Sequence, residues 1–347
     1  MRQVRNTDNA ENTDNAADAA TAATADNADS AANAENAAGT TSAAGTGGLG
    51  TLDIMLPHYG DTPLMQAAVR SVLDQTDGDW RLTVVDDGEE PGVPEWFASL
   101  GDSRVRYLRN ERNLGITKNF RKCVDLVESP YFSMLGSDDL LLPTYVATMR
   151  SAVAARPGAA LYQPGVQVID EHGRPSTTLA DEVKKRFYAP KSTGRRLELG
   201  GERLAANLLG GNWLYFPSLV WRADAVKEVG FREDLSVIQD LALIIELVKR
   251  GERLVVEPAT AFRYRRHSKS LSSSEAANGA RFGEAVRFFH EVADDLDRHG
   301  WPKAARAARR HLSMRLHALS LVPGALRHGR PGALRTFLGY ALSTGQP

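Results

Sequence analysis

An α/β fold with a Rossmann-like half is predicted by three features of the 347-residue chain. From Leu52 to about Arg156, apolar β-rich runs alternate with amphipathic helical spacings. Two of the runs stop at paired carboxylates, Asp86-Asp87 and Asp138-Asp139. In an open α/β sheet such strand ends share one edge, where ligands bind.

The central stretch is Tyr131-Phe132-Ser133-Met134-Leu135-Gly136-Ser137-Asp138-Asp139, a buried strand whose end leaves the core at Ser137. If the chain stays extended there, neighbouring side chains point to opposite sides, so one acid can face a metal and the other a sugar hydroxyl. An isolated Asp pair starting a turn is the plainer reading. Its context decides between them.

Residues 1–50 repeat Asn, Thr, Asp and Ala with no aromatic residue, the pattern of a disordered leader, since Asn, Asp and Thr compete for the backbone of any helix. Order begins with strand Leu52–Leu56, stopped by Pro57-His58-Tyr59-Gly60-Asp61. A helix with Pro63 in its first turn follows, then strand Trp80–Val85. A short helix near Pro94 to Leu100, strand Val105–Leu108, a polar turn Asn110–Gly115 and a helix from about Thr117 to Val127 complete the first half. Neither a dinucleotide fingerprint nor a P-loop is present in it.

Beyond Pro143 a helix reaches Arg156, and Ala159–Ile169 is a strand. Residues 174–200 read as a surface insertion, and Trp213–Trp221 is aromatic and β-rich. A helix Ala223–Val229 stops at Gly230, and an apolar helix Leu241–Lys249 places Asp240 at a helix start, where free N–H groups stabilise a carboxylate. Capping alone accounts for that acid. Strands Leu254–Val256 and Ala259–Arg265 lead to the cationic loop Arg265–Ser272, and from about Glu275 two or three amphipathic helices with Arg-rich faces are expected.

Composition sets further bounds. A hydrophobic share of 42% allows one large domain or two small ones. The net charge of -1 conceals a polarity: residues 298–347 carry nine Lys or Arg and no acid, against seven acids and two arginines in residues 1–50. That basic tail reads either as a patch for anionic surfaces or as ordinary solvated helix faces. The single cysteine, Cys123, excludes an intramolecular disulfide and a Cys-based zinc cluster and fits a reducing, cytoplasmic setting. No apolar run approaches the roughly 18 residues of a membrane span, so at most peripheral membrane contact is expected, and no nucleic-acid partner.

Taken in order, Leu56-Pro57-His58-Tyr59, Val84-Val85-Asp86-Asp87-Gly88, Asn113-Leu114-Gly115, Ser137-Asp138-Asp139 and Val229-Gly230-Phe231 followed by Gln239-Asp240 resemble the family 2 glycosyltransferases over about Leu52 to Ser272. The resemblance implies a GT-A nucleotide-diphospho-sugar transferase fold, with a mixed central sheet and C-terminal helices. It also implies an inverting, metal-assisted enzyme that takes a nucleotide-diphosphate sugar as donor and a glycan, lipid-linked or small-molecule acceptor. Pro57 and Tyr59 match the donor site, Tyr59 packing on the nucleobase. Asp87 matches the acid that holds the base, and Lys118 and Asn119 fall where the nucleotide pocket is lined. Ser137 and Asp138 match the ribose side of the variant Asp-x-Asp motif, Asp139 the ligand of a divalent Mn or Mg ion, and Asp240 the catalytic base. His267 sits where many members place a residue near the metal and diphosphate. Arg265 and Arg266 could assist there.

Two departures stand out: Gly60 replaces the usual Asn after the Tyr, and Gln239 the common Glu before Asp240. They support an alternative, a non-catalytic nucleotide-sugar or glycan binder. A nucleotidyltransferase would need a Gly-rich loop with Arg after the first strand, which Pro57–Asp61 does not supply. The expected organisation is leader 1–50, catalytic domain 51–275 and helical extension 276–347.

Overall fold

A computed structural model describes residues 49–176, 182, 186–191, 194–266, 280–327, 329 and 331–342. The predicted leader, apart from Leu49 and Gly50, lies outside these residues, as do His267 and the hydroxyl-rich loop after it.

The first half follows the predicted alternation: β1 (Leu52–His58), α1 (Thr62–Leu73), β2 (Trp80–Asp86), α2 (Val93–Ser99), β3 (Val105–Arg109), α3 (Ile116–Asp125), β4 (Tyr131–Met134), β5 (Leu140–Leu141) and α4 (Tyr145–Ala155). The chain continues with β6 (Leu161–Ile169), β7 (Leu197–Leu199), α5 (Gly201–Gly210), β8 (Val220–Arg222), α6 (Ala223–Val229), α7 (Gln239–Lys249) and β9 (Leu254–Arg265). Helices α8 (Ala280–Arg298), α9 (Pro302–Arg310), α10 (Leu312–Arg327) and α11 (Pro331–Leu342) close the described chain.

Among the described residues nine strands form one sheet in the order β3-β2-β1-β4-β8-β6-β9-β5, with β7 also on β9. Strands β3, β2, β1 and β4 run parallel to one another, and β8 is antiparallel to both β4 and β6. The sheet is therefore mixed. Alternation along β1 shows how it is covered. Leu52, Ile54 and Leu56 join one apolar cluster with α1, α2 and α4, while Met55 joins the other with α3 and α5–α11. Helices on both faces bury the parallel half, so its strands are apolar almost throughout. The described residues belong to one compact unit.

Three expectations change. The aromatic segment Trp213–Trp221 is mostly irregular, with a 3₁₀ turn at Phe216–Ser218 and only Val220–Arg222 in the sheet, because Pro217 lacks the N–H a ladder needs. Strand β9 is continuous where two strands were expected; it passes Pro258 by a register irregularity opposite Gly165, where a Cβ would lie 3.0 Å from the carbonyl oxygens of Pro258 and Ala259. The C-terminal region holds four helices among the described residues, where two or three were expected.

Candidate functional site

Because β1, β2 and β4 are parallel neighbours, their carboxyl ends open onto one edge, and His58 lies opposite Asp86 in the ladder. The Asp87 N–H donates to the His58 carbonyl at 2.8 Å, tying the two strand ends together beyond the last pair. Tyr59 projects from this edge and is 69% exposed, so its ring is available for stacking, whereas neighbouring His58 is buried. Pro57 is half-buried beneath them. The turn that follows is built by Gly60, at φ +99, and by Asp61, whose carboxylate accepts the Leu64 N–H at 3.0 Å and caps α1.

The two acids ending β2 serve different partners. Asp86 accepts from the Gly88 N–H, from Nε and Nη2 of Arg109 at 3.0 and 2.9 Å, and from the Tyr107 hydroxyl. Asp87 organises the next loop: its carboxylate accepts from Asn110 Nδ2 (2.7 Å), the Leu114 N–H (2.7 Å) and the Gly115 N–H (2.9 Å). Asn119 is buried and bridges Asn110 Nδ2 and the Val85 carbonyl, while Lys118, on the same turn of α3, is exposed. Of the residues matched to the nucleotide pocket, Tyr59 and Lys118 thus face solvent, and Asp87 and Asn119 are buried, tying the Asn110–Gly115 loop to the end of β2.

Asp139 is buried, and its Oδ1 accepts the Arg265 N–H at 2.8 Å while Oδ2 has no hydrogen-bond partner. Burial, and next the adjacent Asp138 carboxylate, push its carboxyl well above the usual range. An ion beside Oδ2 would reverse that preference, so the donor set fits a hard divalent cation. Gly136 leaves the room: a Cβ there would stand 2.6 Å from Oδ2. Arg265 is buried and turns its guanidinium into the protein. Its side chain is spent on the carbonyls of Asp138 (2.8 Å), Asp170 (3.2 Å) and Glu171 (3.1 Å), bracing the acid loop from behind. Arg266 stacks its guanidinium 5.4 Å from the Tyr264 ring centroid.

Ligand atoms of His58, Asp86 and Glu90 also lie within 4.8 Å of one another, close enough to hold a metal ion. Both ring nitrogens of His58 lack partners, and burial lowers its pKa, keeping the imidazole neutral. Asp86, however, is already neutralised by Arg109, so Asp139 is the better-prepared ligand.

Asp240 occupies the first turn of α7. The segment before it is fixed from outside the sheet: the Glu284 carboxylate of α8 accepts the N–H groups of Ser236 (2.8 Å), Val237 (2.9 Å) and Ile238 (3.1 Å) and the Ser236 hydroxyl (2.9 Å). Burial works against ionisation here, but these donors win and hold the Glu284 carboxyl below its ordinary range. From the other side the Thr117 hydroxyl donates to the Leu235 carbonyl at 2.9 Å, linking the segment to the start of α3 and so to the Asp87 loop. Glu284 escaped sequence reading because nothing local marks it. Its partners lie more than forty residues upstream.

Trp221 is buried against Phe216, and Trp213 donates to Asn207 Oδ1 at 2.7 Å, so both belong to the core. A cleft of 430 Å³ between α6, α7 and α8 contains none of the acids named above; it is lined by charged groups such as Glu246, Lys249 and Glu291.

The family model described as Glycosyl transferase family 2 matches residues 53–222. An uncharacterized protein of Mycobacterium tuberculosis is 25% identical over 208 residues, covering 58% of this chain and 62% of that protein. The Escherichia coli protein WcaA, named for a colanic acid biosynthesis glycosyl transferase, is 22% identical over 71% of this chain and 83% of its own length. Among solved structures, residues 1–349 of S. aureus TarS superpose with a TM-score of 0.56 at 12% identity, covering 85% of this chain and 82% of that one. TarS in complex with UDP-GlcNAc gives 0.53 at 13% identity, over 84% of this chain and 91% of that one. With its acid-ended parallel strands and mixed nine-stranded sheet, this chain has the GT-A fold it shares with TarS, and residues 53–222 carry its glycosyl transferase family 2 domain.

Proposed function

We propose that this protein transfers a glycosyl group, with inversion, from a nucleotide-diphosphate sugar to an acceptor hydroxyl or amine, with Asp240 as base. The observation that carries the reading is Asp139: a buried carboxylate with one unpartnered oxygen, at the strand edge that also bears Tyr59 and Asp87. Burial favours the neutral form of such a carboxyl, and only a ligand that completes the free oxygen lets it hold its charge. The UDP-GlcNAc complex of TarS, a protein of the same fold, supports a nucleotide-sugar donor.

Tyr59 stacks on the nucleobase, and Asp87 and the Asn110–Gly115 loop form the wall beside it. Ser137 and Asp138 face the ribose. Asp139 would hold a divalent ion, Mn or Mg, with His267 as a further candidate ligand; when bound, that ion neutralises charge developing on the departing diphosphate. The acceptor oxygen attacks the anomeric carbon as the bond to the diphosphate oxygen breaks, and the electron pair leaves with the nucleoside diphosphate. The acceptor proton passes to Asp240. A modest base suffices, because in an oxocarbenium-like transition state that proton turns acidic as attack proceeds.

The test combines donor discovery with one variant. Thermal shift with UDP, GDP, TDP and CDP sugars plus Mn identifies the donor class. Asp240→Asn is then expected to keep donor affinity and lose about 10³-fold in product formation, within the range reported for removing a general base. Unchanged turnover would remove Asp240 as base, and absence of nucleoside diphosphate release by the unaltered protein would favour a pure binder.

A further inference from the structure

Helix α10 is apolar on two faces. Its inner face is built by Ala318 and Ala325, both buried, with Met314, Leu321 and Val322 packed on the same core. Its outer face carries Leu312 (51% exposed), Leu316 (52%), Leu319 (42%) and Leu326 (61%). These four fall at i, i+4, i+7 and i+14 and, with Pro323 at i+11, form one stripe along the helix. Leu338 and Leu342 of neighbouring α11 are exposed as well, Leu342 at 71%. A surface helix normally turns such a stripe inward, and a run of exposed leucines marks a surface that meets something apolar.

The charges decide what that partner is. Arg327 on α10 and Arg335 on α11 are exposed, Arg315 flanks the stripe half-buried with its Nε donating to His311 Nε2 at 3.2 Å, and residues 298–347 contain nine bases and no acid. If two copies paired through this face, the same cationic flanks would meet, like charge against like. An anionic lipid surface instead complements both features, accepting leucines at the acyl boundary and guanidinium groups among its headgroups. No described helix is long and apolar enough to cross a membrane, which leaves α10 to lie along one.

We propose that α10 and α11 form a docking face for anionic membrane, with the leucine stripe inserted and the flanking arginines on lipid phosphates. The face is independent of the transfer chemistry, since it contains none of the residues assigned to donor, metal or base.

The full-length protein is floated with vesicles of phosphatidylcholine containing phosphatidylglycerol, and with phosphatidylcholine alone, at low and high salt. Binding to the anionic vesicles only, weakened by salt, is the expected result. Combined Leu316→Ser and Leu319→Ser should lower vesicle affinity about tenfold or more by removing two inserted side chains. Arg327→Gln with Arg335→Gln, both at exposed positions, should lower it severalfold, with most of the salt dependence lost. Unfolding midpoints equal to that of the parent protein confirm that these exposed changes leave the fold intact. Failure to bind either vesicle, or equal binding to both, overturns the proposal. So does a dimer in light scattering that the leucine substitutions dissociate while vesicle binding stays unchanged.

Discussion

Asp53 and Asp139 are both buried carboxylates on the same sheet, at 2% and 1% exposure, yet they lie at opposite edges and in opposite states. Asp53 sits at the amino end of β1, five residues or roughly 17 Å of strand from His58. Every need of that carboxylate is met inside the chain: Arg81 donates Nε and Nη2 at 3.0 and 3.1 Å, and the N–H groups of Glu128 and Ser129 donate at 2.8 Å. Asp139, at the carboxyl edge, keeps one oxygen without a partner. A satisfied acid ties elements together, whereas a buried acid left incomplete is prepared for something from outside.

Substitution should separate the two by what fails. Asp139→Asn is expected to cut product formation about 10²- to 10³-fold, the scale of losing one electrostatic contact to a transition state, while the unfolding midpoint falls little or rises. A marked loss of stability with full activity in the folded fraction would place Asp139 in the class of Asp53. Asp53→Ala should do the reverse: it strands two backbone N–H groups and leaves Arg81 with Glu128 as its ion-pair partner, costing about 3 kcal/mol in urea unfolding. Turnover of the folded molecules should stay at the parent value.

Glu284 sharpens the contrast from a third position, being satisfied by three backbone N–H groups and the Ser236 hydroxyl ahead of Asp240. Glu284→Gln keeps the side-chain size but sets an NH₂ against N–H donors. Transfer is expected to fall about tenfold with donor affinity unchanged, since a misplaced catalytic group is felt in turnover. If Asp240→Asn abolishes transfer and Glu284→Gln does not affect it, Glu284 only stabilises. pH supplies a smaller effect with a definite sign. The folded carboxyl lies below its ordinary 4.5, so its contribution is fully present above that value and disappears as pH falls through the folded one. In thermal unfolding at descending pH, the parent protein should therefore lose more stability than the Gln variant over that acid interval.

The parallel half of the sheet was legible in the sequence because each of its elements carries a local signal. Continuous apolar runs mark strands covered on both faces, and acids or glycines mark their ends, as at Val84-Val85-Asp86-Asp87-Gly88. The place of Asp240 at a helix start was legible for the same reason, through the apolar helix behind it. Where pairing depends on distant partners the reading weakened. Strand β5, two residues long, exists only because β9 passes beside it. The aromatic run before Val220 looks like a strand by composition, but Pro217 and the packing of Phe216 between Phe120, Trp221 and Phe231 override that preference. Arg265 reads as a free cation in a basic loop; only the three carbonyls gathered around it reveal a brace.

The hold of α8 on the segment ahead of Asp240 bears on how the protein can be shortened. A version cut after residue 275, which keeps every matched motif, would discard Glu284 and leave three amide groups at the head of α7 to water. Such a fragment should bind donor yet turn over poorly. Adding back residues through Arg298 should restore turnover, since the aromatic pair Phe288 and Phe289 then seats α8 in the core again.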